Sequence, residues 1–504
     1  MQQDTCSNFW ISTIAQWPEP RPRLEASIQA DVAIVGAGFT GLWTAYYLKT
    51  LAPHLAIVVL EAQRVGHGAS GRNGGWVVGN LAGLERYVGE LPMERRRECC
   101  QVVADNVDDI GNVLERGSIA ADFNKGGALY AAARYPDQIA IQKGYLAHLH
   151  ELGHDEANCS WLDADQLAEK ARFRNGYGGI YHRQVATVNP VKLVTGLAET
   201  IERLGVTIHE QSRVTLIGQH EAITEQGAVE APIIVCATEG YAERFHDFKK
   251  HVIPVQSLVI ATEPLTQDVW QEIGMSERLA FADASRLINY GHRSADGRLV
   301  FGARGSYAFG GKSKHRLAIS QDDIRLRRDL LADLFPVLQD VTISHGWGGS
   351  LGLSRNFRPH GILDRESGIA TAGGYAGEGV AAAHLFGRTL ADLILERDSR
   401  LASMPWVFTN ASHRHLIKRW EPEPLRWLAA QVITYSYAGE EALMKRNKPA
   451  PLIKPVLTKA NDFLHRLSSE RVSHQHRLYL CVTPSGISRY RLLCIAMKPT
   501  LSLE

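Results

Sequence analysis

Val32-Ala33-Ile34-Val35-Gly36-Ala37-Gly38-Phe39-Thr40-Gly41 joins a short apolar run to a turn of the form G-x-G-x-x-G. Beyond it Leu42, Ala45, Leu48 and Ala52 share one helical face, and Pro53 closes the pattern. The segment therefore reads strand, tight turn, helix. Gly36 permits the turn, Gly38 lets backbone approach a pyrophosphate, and Gly41 lets helix and strand pack closely. Phe39 and Thr40 open the helix, whose N–H groups and dipole favour a diphosphate. In a chain with 45 glycines the hexapeptide alone is weak evidence. Its context strengthens it. Ala56–Leu60 forms the next buried strand and ends at Glu61, where a carboxylate can accept hydrogen bonds from a ribose and would repel a 2′-phosphate, which disfavours NADP.

The stretch that follows, Arg64 to Gly75, is rich in small residues: Gly66, Gly68, Ala69, Ser70, Gly71, Gly74 and Gly75, with Arg72 and Asn73 among them. A second loop of this kind suits a long cofactor that it crosses near phosphates and ring, so FAD is favoured over NAD, whose fold has no obvious need for it.

Size and charge bound the remaining choices. A chain of 504 residues exceeds one simple core and allows about three units, or two large interleaved ones. Lys plus Arg total 55 against 54 for Asp plus Glu, a balance that argues against a nucleic-acid partner. No apolar run is long enough to span a membrane, and Met1 to Trp10 lacks the features of a signal peptide. The seven cysteines are scattered, with no CxxC pair and no Cys/His group at zinc spacing. Free thiols in a reducing cytoplasm and no metal are the reading. Cys236 falls in an apolar strand and reads as core.

Along the chain, residues 1–30 carry Pro18, Pro20 and Pro22 and are expected to lack regular structure. Residues 91–120 read as a long amphipathic helix. Ile233–Cys236, Val255–Ala261 and Arg298–Phe301 read as strands, and Gly373–Leu395 as a glycine-rich turn entering a helix. Residues 441 to about 470 look helical and basic, and the tail beyond Glu470 carries no recognisable chemistry.

From Asn8 to Trp427 the sequence resembles the D-amino acid oxidase/glycine oxidase superfamily of FAD-dependent amine oxidoreductases, nearest to its gamma-glutamylputrescine oxidoreductase branch. The likeness rests on Gly68–Gly75, on Ala237-Thr238-Glu239-Gly240-Tyr241, and on the late turn Gly373 to Val380. It implies an α/β fold in which a Rossmann-type FAD-binding domain (31–90, 181–255 and 341–405) is interleaved with a substrate domain on a mostly antiparallel sheet (91–180 and 256–340). An N-terminal arm (1–30) and a C-terminal helical extension and tail (406–504) flank them. It implies that Ala237 and Thr238 border FAD, that Val214 meets the adenine through its backbone, and that Gly374, Gly377, Glu378, Gly379 and Val380 sit at the flavin ring. Non-covalent FAD is expected. His67 is the one alternative attachment point, because no cysteine lies between Cys236 and Cys481.

The same resemblance sets Tyr290, Arg293, Arg304 and Trp347 on the substrate side. The implied reaction moves a hydride from the carbon beside nitrogen to flavin N5, and the imine then hydrolyses. The partners are a small amine and either oxygen or an electron-transfer acceptor. No catalytic base is assigned. Relatives that oxidise simple α-amino acids hold the carboxylate with arginine, but Trp347–Leu353 and Gly373–Glu378 contain none; Arg355 and Arg358 come later. Glu378 either attracts a cationic amine or caps the following helix. Oxidation of glycine, sarcosine or a D-amino acid is the alternative reaction. A non-catalytic dinucleotide sensor and a flavin enzyme modifying tRNA or quinone are the alternatives of other classes.

Overall fold

Val32–Val35 is buried at all four positions, as a strand covered on both faces must be. It lies inside a seven-stranded sheet, with Ile57–Leu60 on one side and Ile233–Cys236, the central strand, on the other, both parallel to it. Thr207–His209 extends the first flank, and Ile369–Gly373, His360–Asp364 and Val407–Thr409 extend the second; only the His360–Asp364/Ile369–Gly373 pair is antiparallel. Helices Phe39–Leu51 and Gly379–Ile394 pack on each other over this sheet: a Cβ at Gly387 would lie 2.6 Å from Trp43 Cβ, so the glycine allows the close approach. The computed structural model describes residues 8–445 and 457–461, apart from 246, 247, 249, 276, 304, 306, 314–318 and 410–412.

The second sheet has eight strands. Their order is Ile343–Ser354, Val252–Thr262, Leu299–Ala303, Asn289–Arg293, Ala280–Asp283, Ala128–Ala131, Gly179–His182 and Cys159–Leu162. Every pairing is antiparallel except Ala280–Asp283 with Ala128–Ala131. The α/β fold of a Rossmann-type unit joined to a mostly antiparallel sheet is thus present. The long helix read at 91–120 runs from Met93 to Arg116.

Three expected boundaries differ. Ile343–Ser354 pairs with Val252–Thr262 along nearly its whole length, from Val252↔Ser354 to Ala261↔His345, so it belongs to the second sheet and not with 341–405. The divisions at 180/181 and 255/256 each cut a continuous strand. The physical reason is that a strand keeps one alternating pattern while its neighbours change, so the pattern does not mark where a domain ends.

The N-terminal arm is also more ordered than its prolines imply. Asn8 caps the turn Phe9–Ser12, its side chain accepting from Trp10 N–H, and Phe9 and Trp10 are buried. Ile28–Gln29 pairs with Val229–Glu230. At the other end the described helix runs from Leu425 to Lys445, so it starts before the expected 441. Residues 457–461 are helical, and the rest of 446–504 lies outside the described residues. Two acids place this helix: Glu440 accepts from Arg286 at 2.8 Å, and Glu441 from Arg134 at 2.8 Å. Arg134 is buried and also holds Asp283 at 2.6 Å. Among the described residues no helix is long and apolar enough to cross a membrane.

Candidate cofactor and substrate sites

The strand-to-helix turn opens onto a cavity of about 480 Å³. Gly36, at φ +108, faces Ala237 O, which a Cβ would approach to 2.6 Å. Gly38 N-caps the helix with no side-chain bond, and the first turn carries no acid. That helix end is electrostatically open to an anion. A Cβ on Gly41 would run into Gly36 O, so this glycine serves the packing of helix on strand and does not line the cavity. Phe39 and Thr40 do line it, and Ser70 Oγ accepts from Phe39 N–H at 2.9 Å. Glu61 also lines the cavity. Its two oxygens accept from Ala37 N–H at 3.0 Å and Gln63 N–H at 2.8 Å, and burial pushes its pKa up against those bonds. The carboxylate is thereby fixed, and each oxygen keeps a second lone pair for a ribose hydroxyl.

Ala69, Ser70 and Asn73 bring the second loop to the cavity, while Arg72, Gly74 and Gly75 stand behind it. Asn73 acts as a scaffold: Nδ2 donates to Ala69 O and Ser70 O, and Oδ1 accepts from Gly75 N–H. Arg72 Nε donates to His67 O at 2.9 Å. From outside, Asn8 holds Gly71 O, Trp10 Nε1 holds Asn73 O, and Trp347 Nε1 holds Arg72 O, all within 3.0 Å. Trp347 is fully buried with Phe9 and Trp10, so it is a brace for the loop and not a wall of the substrate site. His67 lines the cavity.

Across the cavity lie Val214, Ala237 and Thr238, and at the far end Gly377, Gly379 and Val380. Gly374 lies off the lining, its φ of +77 aiming a would-be Cβ at Arg358 O. Tyr375 OH bonds Thr40 Oγ1 at 3.1 Å and ties this late turn to the first helix. The sequence reading missed Glu239, although it quoted the segment. Its buried carboxyl, held at φ +41, gathers the N–H groups of Gly240, Gly352, Gly374 and Tyr375, and burial pushes it up to about 7. One acid thus joins three chain segments beside the cavity.

Glu378 turns away from that cavity. Its flanking glycines line it, but its carboxyl points to Asn80 and Ala82 N–H and makes no cap bond to its own helix. The expected place among the cofactor-lining side chains is therefore corrected, and so is the helix-cap role. Glu378 Oε2 is buried and, like Asn80 Oδ1, has no hydrogen-bond partner among the described residues. Burial, reinforced by the Glu85 charge, pushes the carboxyl to about 7. A chain of rings stands nearby: Tyr290 to Trp76 at 5.6 Å, Trp76 to Tyr130 at 6.3 Å, and Tyr130 to Tyr145 at 6.2 Å. Burial raises the hydroxyl of Tyr130, and the neighbouring Tyr145 and the Glu378 charge raise it further. Tyr290 also packs against Gly74, so it reaches both the loop and the rings.

Arg293 does not join them. It stacks on Trp270 at 4.6 Å and donates to Met275 O at 3.3 Å. Arg355 is paired with Glu421 and lies over Trp420, and Arg358 lies over Tyr87. Arg304 lies outside the described residues.

A Rossmann turn, a ribose-facing acid and a second glycine-rich loop around one long cavity define a dinucleotide-dependent oxidoreductase. The chain belongs to the DAO family of FAD dependent oxidoreductases, which matches residues 31–393. It is 32% identical to the probable oxidoreductase OrdL of Haemophilus influenzae over 76% of this chain and 86% of that one. It is 29% identical to the gamma-glutamylputrescine oxidoreductase of Escherichia coli, over 77% and 89%. The fold is also that of glycine oxidase from Bacillus cereus, with a TM-score of 0.61 at 19% identity, over 75% of this chain and 98% of that one. FAD is the cofactor, and the glycine cradle, Glu61 and the open helix end fit its ribose and diphosphate.

Proposed function

We propose that the chain oxidises the C–N bond of a small cationic amine, primary or secondary, in preference to a simple α-amino acid. When bound, FAD supplies the acceptor for the hydride from the carbon beside nitrogen, and the imine product hydrolyses in water to a carbonyl compound. The observation that carries the amine reading is the set of unspent acceptors behind Gly377 and Gly379: Glu378 Oε2 and Asn80 Oδ1. Buried acceptors call for N–H donors. The faces of Trp76, Tyr130 and Tyr290 favour a cation as well. A substrate carboxylate would meet Glu378 as a like charge, and the nearest arginines of the sequence pattern are already engaged. The name of the Escherichia coli relative, which specifies an acylated polyamine, supports the same reading.

Glu378 has two tasks in this scheme. Ionised, it draws the ammonium substrate to the ring-lined side. With its pKa pushed to about 7, it is also matched to take one proton from that ammonium, which leaves the nitrogen lone pair the oxidation requires. Glu378→Gln should lower kcat/KM on the best amine by on the order of 10–100-fold, about 1.4–2.7 kcal/mol, with FAD content unchanged. The wild-type pH profile should rise through the region near 7, and the variant should lose that step. Full activity in the variant on the best amine would remove the basis of the proposal.

A further inference from the structure

Away from the cofactor cavity, three side chains that no spacing motif connects converge inside the second sheet. Cys159 and His182 are direct partners in the antiparallel register of Cys159–Leu162 with Gly179–His182, so their side chains share one face of the sheet. Gly153, in the left-handed conformation at φ +114, ends the helix Asp137–Leu152 and turns the chain so that His154 folds back over the pair. His154, Cys159 and His182 are 5%, 0% and 3% exposed. Each offers one ligand atom, and these atoms all lie within 4.8 Å of one another. The two imidazole rings stand 5.9 Å apart, edge to face.

The hydrogen-bond account of this cluster is incomplete. Nε2 of His154 and Nε2 of His182 are both buried and have no partner among the described residues. Buried ring nitrogens are rarely left so. Burial pulls His154 down to about 4 and His182 down to about 3, so both rings are neutral, the state in which imidazole coordinates. Protonation and ion pairing therefore do not explain the pair. Binding a cation would displace the Cys159 thiol proton.

We propose that His154, Cys159 and His182 form a structural site for a soft closed-shell cation, Zn²⁺ or Cu⁺, separate from the FAD site. Two imidazoles and one thiolate are the donors these ions select. Bonds of about 2.0–2.3 Å to a tetrahedral ion draw ligand atoms to about 3.4–3.6 Å apart, a contraction that side-chain rotation supplies. With Cu⁺ the three-ligand site is neutral. With Zn²⁺ it carries one positive charge and takes water as a fourth donor. The ion would clasp the end of one helix to two strands. It would also stiffen the ring wall, since the Tyr130 ring lies 6.4 Å from His182.

The test uses the full-length flavoprotein purified without a histidine tag. Elemental analysis for zinc and copper should find about one metal per chain. Chelation should lower Tm, and either Zn²⁺ or Cu⁺ alone should restore it, which also distinguishes the two ions. Co²⁺ loaded into the chelated protein should give ligand-field bands in the red, clear of the flavin. Cys159→Ala removes only a buried thiol and His154→Gln keeps a polar side chain; both should lose the metal and the cobalt bands while retaining FAD. Metal-free protein whose Tm responds to neither ion would overturn the proposal, as would metal content unchanged in Cys159→Ala.

Discussion

The cavity behind Gly36–Gly41 and the wall behind Glu378 are built from opposite kinds of sequence. One side of the cavity draws on one contiguous strand–turn–helix, one acid and one adjacent loop, each doing what its local pattern dictates; Val214, Ala237, Thr238 and the late turn complete the lining. The wall is assembled from Trp76 and Asn80, Tyr130, Tyr145, Tyr290 and Glu378, which come from five stretches of chain that only the tertiary fold brings together. The first region has its polar groups largely spent on one another: Glu61 on Ala37 and Gln63, Asn73 on its own loop. The second keeps two buried acceptors unspent. A satisfied cavity holds its shape for a fixed cofactor. An unsatisfied wall, on the proposed reading, is completed by a substrate that brings donors.

The largest effect should come from breaking the cavity at its backbone. Gly36→Ala forces a side chain into φ +108 and sets its Cβ 2.6 Å from Ala237 O. The conformation and the collision each cost about 1–3 kcal/mol. Flavin content, read from the visible spectrum after gel filtration, should fall to a small fraction of wild type. Gly38→Val should also lose FAD, through bulk placed where the diphosphate must come close. In Gly38→Val, however, the backbone φ of −88 is ordinary and the nearest atom is Ser70 Oγ, so Tm should fall less than in Gly36→Ala.

A smaller effect should separate brace from wall. Trp347→Phe keeps the ring packing and deletes the bond to Arg72 O, at a cost of about 1–2 kcal/mol. FAD affinity should weaken severalfold, with the ranking of substrates unchanged. A change in that ranking would return Trp347 to the substrate side.

Stability against pH distinguishes the regions in another way. Glu239 and Glu378 are both pushed to about 7 by burial, above the ordinary carboxyl value. The folded state thus holds protons that the unfolded state has released. The resulting stability is fully present below the ordinary carboxyl pKa and is lost as pH rises through 7. Tm should decline between pH 5 and 8, and the double change Glu239→Gln with Glu378→Gln should flatten the decline. The smallest effect belongs to Arg293→Ala, outside both regions: kcat/KM should stay within about twofold of wild type, with a loss of roughly 0.5–1 kcal/mol from the stacking on Trp270.

How legible each region was follows from its construction. The Rossmann turn, Glu61 and the loop at Ala69–Asn73 could be read because neighbours in sequence are neighbours in space. Glu378 was read as both a cofactor-side and an amine-side residue. Its true facing depends on the φ and ψ of a turn residue that directly precedes the helix beginning at Gly379, and no pattern reports that. Trp347 and Arg293 are set on the substrate side by the resemblance alone, which does not report that Trp347 packs with Phe9 and Trp10 or that Arg293 stacks on Trp270. Asn8 and Trp10 were hidden by the prolines that follow them, although the arm's work is tertiary. Glu239, and the cluster of His154, Cys159 and His182, depend on a left-handed residue or a strand register, which spacing motifs do not encode.

The measurement that bears most directly on the central claim is kcat/KM across two matched panels, with oxygen and with an artificial electron acceptor. One panel holds primary and secondary amines, including polyamines and their acylated derivatives; the other holds glycine, sarcosine and D-alanine. The unspent acceptors beside Glu378 predict that the best amine exceeds the best amino acid by at least about tenfold, or about 1.4 kcal/mol in transition-state binding. A preference of the same size for a simple α-amino acid would contradict the account.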